Sequence, residues 1–113
     1  MVTAETAVVL PVLLLVLAGA VAAVTVVGAQ LRCVDAAREG ARAAARGDDA
    51  AAVARIVQQT APDGADVSSV RTGEDVRVAV TVQVAPLGPV PLQVEVSAEA
   101  VARLEPGVTD GPG

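Results

Sequence analysis

From residue 6 to residue 31 the chain carries no charged side chain, and twenty of those 26 positions are apolar. Val and Leu dominate, and up to Ala29 nothing polar larger than Thr interrupts them. A helix over residues 6–29 would be about 36 Å long, enough to cross a hydrocarbon core of ~30 Å with some tilt. Pro11 removes one backbone bond and kinks such a helix, which membrane helices tolerate. A buried core helix is the first competing reading, but the rest of the chain is too short to enclose it. A cleaved secretory signal is the second, because Ala18-Gly19-Ala20 and Val27-Gly28-Ala29 look like small-residue cleavage sites. Against it stand an apolar stretch that is too long and the lack of a basic residue before it.

The helical period continues past Leu31. Arg38, Arg42 and Arg46 recur at four-residue steps and share a face, while Ala37, Ala41 and Ala45 form another, with Ala36, Gly40 and Ala44 beside it. Ala is the best helix former, so one helix is predicted from about residue 3 to residue 46 despite Gly40. Its small-residue face either packs tightly on another helix or is simply a solvated connector. Gly47 ends this helix and Asp48 caps the next, over residues 49–60, with Val53, Ile56 and Val57 on one side and Pro62 closing it.

Alternation then replaces the helical period. Val76, Val78, Val80, Val82 and Val84 point one way, and Arg77, Thr81 and Gln83 the other. Val90, Leu92, Val94 and Val96 repeat the pattern against Gln93, Glu95 and Ser97. Such alternation predicts half-buried strands over residues 76–84 and 90–96, joined by a hairpin loop at 85–89. A weaker strand over 67–71 precedes them, joined through a turn at 72–75. Alternation fades from 98 to 104, so the last strand is long or gives way to a short terminal helix. The Gly- and Pro-rich tail from Glu105 is expected to be disordered.

The predicted fold is therefore α+β: a long N-terminal membrane-spanning helix continuing into a stalk, then a short helix packed on a small antiparallel sheet. Its expected segments are 1–31 with the transmembrane helix, an Ala/Arg stalk at 32–47, a small helix-plus-sheet domain at 48–104, and the tail at 105–113.

Composition narrows the function. The hydrophobic fraction is 53%, with no Phe, Trp, Tyr or His and a single Cys. Common zinc and nucleophile constellations cannot be assembled from that set. With no aromatic platform and a net charge of -5, nucleic acid is an unsuitable partner. Asp48 with Asp49, and Glu74 with Asp75, are adjacent acidic pairs that read as cap and turn residues. No catalytic, metal-binding or cofactor-binding residue is expected, and the chain is not read as an enzyme. Cys33 is either an inert small apolar residue or the site of an intermolecular disulfide.

Charge also bears on orientation. Residues 32–46 carry four Arg and two acids, whereas ten acids face four Arg beyond residue 46. Basic residues flanking a span favour the cytosol, which by itself would place residues 32–113 there. A stalk held in an assembly, or a basic leader before Met1, would reverse that balance.

Two further features concern helix packing. Ala18 with Ala22, and Gly19 with Ala23, place small residues four apart, a spacing that lets helices approach closely in lipid. Glu5 heads the uncharged run. It is either solvated at the headgroups, complementing the helix dipole, or inside the bilayer, where a carboxylate costs about 2.5–3.5 kcal/mol and wants a partner.

Glu5 before an uncharged helix, the run Ala36-Ala37-Arg38-Glu39-Gly40-Ala41-Arg42-Ala43-Ala44-Ala45-Arg46-Gly47, and a small Val-rich sheet together resemble the TadE-like minor pilins and pseudopilins. These belong to the tight-adherence (Flp) type IV pilus system, and the actinobacterial type is most similar. The resemblance covers most of the chain, with its specific part in residues 1–46. It implies a pilin-like fold and a structural subunit of a secreted pilus, anchored in the bacterial cell membrane by a single pass. The outer domain would be extracytoplasmic and the subunit incorporated into a surface pilus. It implies as partners the lipid bilayer, other pilin-type subunits, the assembly machinery and, where a leader exists, a prepilin peptidase cutting immediately before Met1. Family members carry Glu at the fifth mature position, which Glu5 matches if Met1 is the first mature residue. Met1 itself departs from the more usual Phe, and the sequence shows no leader. The assembly and helix-packing residues so implied are Glu5, Gly19, Ala23, Gly40 and Ala44. The alternative is a single-pass membrane protein whose small extracytoplasmic β domain binds a partner unrelated to pili.

Overall fold

The computed structural model describes residues 2–104, the Val2 side chain excepted. The tail expected to be disordered lies outside the described residues. Within them, two helices and three strands form in the order α1 (Val2–Ala45), α2 (Ala50–Thr60), β1 (Asp66–Thr72), β2 (Asp75–Val84) and β3 (Val94–Arg103). The α+β class predicted from periodicity is the one observed.

Helix α1 runs unbroken for 44 residues, through Pro11 and Gly40. Gly47 stops it. Its φ of 95° lies in the left-handed region that glycine enters freely. The Gly47 N–H donates to the Ala44 carbonyl at 3.0 Å and the Asp48 N–H to the Ala43 carbonyl at 3.2 Å. This is a Schellman closure, and it consumes Asp48. The cap of α2 is consequently Asp49, one residue later than expected, whose carboxylate accepts from the Ala52 N–H at 2.8 Å. At the other end the Ala61 N–H donates to the Val57 carbonyl, and Pro62 follows.

The sheet is antiparallel in the order β1-β2-β3. Gly73, with φ of 62°, makes the tight turn into β2. The strand expected over 90–96 begins instead at Val94 and runs to Arg103, which also replaces the terminal-helix reading of 98–104. The cause is Pro89 and Pro91, which have no N–H to offer a ladder. Val90 and Leu92 are left outside the sheet, and the Leu104 N–H closes the last strand onto the Glu74 carbonyl at 2.7 Å.

One face of the sheet is apolar, built from Val76, Val78, Val80, Val82 and Val96. Helix α2 covers part of it through Val53 and Val57. The C-terminal half of α1 covers more than the sequence suggested, presenting Ala29, Cys33, Ala36, Ala37, Gly40, Ala41 and Ala44 from one face. Ala36 and Ala37 retain no exposed surface, so the small-residue face packs inside its own chain and is not solvated. Gly40 marks the closest approach. A methyl group placed there would lie 2.5 Å from Val57 Cγ2 and 3.0 Å from Val78 Cγ1.

The radius of gyration is 20.3 Å, against about 13 Å for a compact chain of this length. The excess comes from α1, whose N-terminal half projects beyond the domain.

Candidate functional site: the exposed half of the first helix

Thirteen of the seventeen large hydrophobic side chains exposed among the described residues lie on α1, from Val8 to Leu31. They cover its whole circumference. Leu13, Leu14, Leu15, Val16 and Leu17 are consecutive and all more than half exposed. At roughly 1.5 kcal/mol or more for each Val or Leu, wetting this surface forgoes on the order of 20 kcal/mol. A whole domain is stable by only about 5–15 kcal/mol. The surface therefore requires an apolar medium, and by length and composition this helix can cross a bilayer.

The expected assembly residues separate into two environments. Glu5 lies in the first turn of α1, exposed. Gly19 is open, with nothing within 4 Å of where its Cβ would stand. Ala23, one turn on, is exposed and lines a shallow apolar groove with Val24, Val27, Gly28 and Leu31. Gly40 and Ala44 instead face inward, Gly40 against Val53, Val57 and Val78 of the same chain. The surface free to meet another molecule thus includes Glu5, Gly19 and Ala23 but neither Gly40 nor Ala44.

No basic side chain lies on α1 before Arg32, which at ~1.5 Å per residue stands about 40 Å from Glu5. Arg32 is engaged elsewhere. Its Nε donates to the Thr60 carbonyl and its terminal nitrogen to the Ala61 carbonyl, both at 3.3 Å. It thereby satisfies carbonyls at the negative end of α2 and ties the two helices together just outside the apolar span. Gln30 adds a second tie, donating from Nε2 to the Ser97 carbonyl of β3 at 2.9 Å. Sequence reading missed both, because their partners lie 28 and 67 residues away with no local signature.

Cys33 is fully buried against the sheet. Burial pushes its thiol pKa up, with the Arg32 guanidinium pulling in the opposite direction. Its sulfur has no open path to a neighbouring molecule, which corrects the intermolecular-disulfide reading in favour of the small-apolar one. The ion pairs Arg42–Glu39 at 3.5 Å, Arg77–Glu99 at 3.2 Å and Arg103–Glu74 at 3.8 Å are exposed. Pairs of that kind stabilise by at most about 1 kcal/mol each. Asp48 pairs with Arg46 and Asp49 caps α2, so both side chains of that acidic pair have structural tasks.

Residues 1–42 match the family of TadE-like proteins. The chain is also 42% identical over 105 residues to a Mycobacterium tuberculosis protein named apoptosis inhibitor Rv3655c. That alignment spans 93% of this chain and 80% of the relative. No solved structure shows significant similarity to it.

Proposed function

The chain belongs to the TadE-like family, and from that premise we propose that it is a membrane-anchored minor pilin or pseudopilin taking part in assembly of a tight-adherence pilus. The family ties it to that pilus system and to a membrane; the finer role is structural and involves no catalysis. The observation that carries the reading is the exposed apolar half of α1, headed by Glu5 and, from residue 3 to residue 17, left uncovered by the other described residues.

In this reading the half-helix lies in the bilayer as a monomer and bundles with other pilin-type helices on assembly. Gly19 and Ala23 permit close approach there, since neither is committed to the domain. Glu5 cannot be neutralised by an Arg of its own helix. The free N-terminal amine of a neighbouring subunit supplies the missing charge, and a buried carboxylate without it is strongly disfavoured. The domain of residues 48–104 faces outward on the extracytoplasmic side. If the precursor carries a leader, a prepilin peptidase frees that amine by cutting before Met1.

The test is Glu5→Ala in cells that make the pilus, followed in sheared pili and in membranes. Loss of a buried charge pair, at about 3 kcal/mol, lowers incorporation into pili more than tenfold while membrane content stays constant. Undiminished incorporation rejects the charge-pairing mechanism. Failure of the wild-type chain to appear with any other pilin removes the pilus reading and leaves a single-pass protein with an unrelated partner.

A further inference from the structure

We propose that the loop between β2 and β3, residues 85–93, is a second membrane contact that seats the domain on the bilayer interface beside α1. The inference rests on the anchoring reading above.

The loop has an unusual make-up. Ala85-Pro86-Leu87-Gly88-Pro89-Val90-Pro91-Leu92-Gln93 carries no charge, in a domain otherwise rich in acidic residues. Outside α1 only four large hydrophobic side chains are exposed among the described residues, and Val90 and Leu92 are two of them. The other two, Val70 and Val101, flank Arg77 on the outer sheet face and form no uncharged patch. Backbone polarity is also reduced. Pro86, Pro89 and Pro91 have no N–H. The N–H groups of Gly88, Val90 and Leu92 donate within the loop, to Ala85, Leu87 and Val90 carbonyls at 3.4, 3.3 and 2.7 Å. Backbone donors already held inside a segment are what an apolar medium demands.

Position completes the case. Strand β2 runs back along α1, with Val78 beside Gly40 and Val84 sharing a recess with Val24, Thr25 and Gly28. Six strand residues cover about 20 Å and the matching twelve helical residues about 18 Å, so the two elements stay in step. Val84 and Val94 are register partners, so the loop begins and ends at the level of Gly28. With Glu5 at one boundary, a ~30 Å hydrocarbon layer ends within a turn of Gly28. Arg32 shares the recess of Val84 and Gly28, and Glu95 pairs with Gln83 one register step from the loop's base, so both charges stand on the headgroup side of it. The occupant is therefore the lipid interface, continuous with the surface around α1.

The full chain with Cys33→Ala provides a background for single labels. Val90→Cys, Leu92→Cys, Val24→Cys and Glu74→Cys are each labelled with bimane in phosphatidylcholine–phosphatidylglycerol vesicles containing nitroxide lipids. Labels at 90 and 92 should be quenched to within about twofold of the label at 24, and the label at 74, at the far turn, should not be. Quenching at 24 without quenching at 90 or 92 overturns the loop contact and leaves the anchor standing. Absence of quenching at 24 rejects the anchor and the loop contact together. Shielding at 90 and 92 that grows with the protein-to-lipid ratio assigns the surface to a second copy and also overturns the proposal.

Discussion

The two halves of α1 share one backbone and differ in what surrounds them. Up to Leu17 the side chains are mainly Leu and Val, exposed on every side; from Ala29 onward the inward positions are Ala, Gly and Cys, packed on a sheet. Large residues suit the first half because lipid accepts bulk at any angle. Small residues suit the second because α2 and β2 approach it closely at Gly40. The same residue types that permit helices to meet in a membrane here serve to build a core without aromatics. A four-residue spacing of small residues therefore has two meanings in this protein, and the surrounding bulk decides which applies.

The comparison breaks most sharply in the first half. Val16→Asp places a charge near mid-span, costing about 2.5–3.5 kcal/mol of insertion. The expected outcome is a shift of the chain from the integral to the carbonate-extractable fraction, read by immunoblot. A charge tolerated there would show that this half is not in lipid.

Glycine tests the contrast between halves directly. Gly40→Ala must displace Val57 or Val78 and should destabilise the domain by about 1–3 kcal/mol, read as a lower Tm of the full chain in detergent. Gly19→Ala meets nothing and should leave that Tm unchanged. Equal effects at the two positions would refute the division.

The smallest effect concerns Cys33, near the boundary between the halves. Its thiol titrates above the ordinary value because burial disfavours the thiolate. The neutral thiol therefore contributes stability in full below the unfolded-state pKa of about 8.5, and this is lost as pH rises through the folded-state value. Folded protein should react with iodoacetamide much more slowly than urea-unfolded protein at pH 8. Cys33→Ala should flatten the decline in Tm at higher alkaline pH. Fast alkylation in the fold would place the sulfur at the surface.

Much of this fold was legible because its signals are local. The uncharged run, the Gly47 stop, the helix ending before Pro62 and the alternation of β2 each depend on a few neighbouring residues. The errors arose where local signals competed. Asp48 and Asp49 are equal candidates for a cap until the Schellman closure takes the first. Val90 and Leu92 continue an alternating pattern, yet the prolines between and before them prevent ladder pairing. That Glu5, Gly19 and Ala23 share one long helix was legible from the uncharged run. That Gly40 and Ala44 belong to the core was not, since Val53, Val57 and Val78 are brought to them only by folding.

The sequence by itself determined that a long helix would leave apolar bulk needing lipid, and that a small Val-built α+β unit would follow it. Charge-free length and the two periodicities suffice for that, because both are properties of neighbouring side chains. Only the tertiary structure decided where the helix stops being an anchor and becomes core. That boundary depends on β2 running back along α1 and on Arg32 and Gln30 reaching carbonyls far along the chain. Such contacts reflect distance in space, which the order of residues does not record.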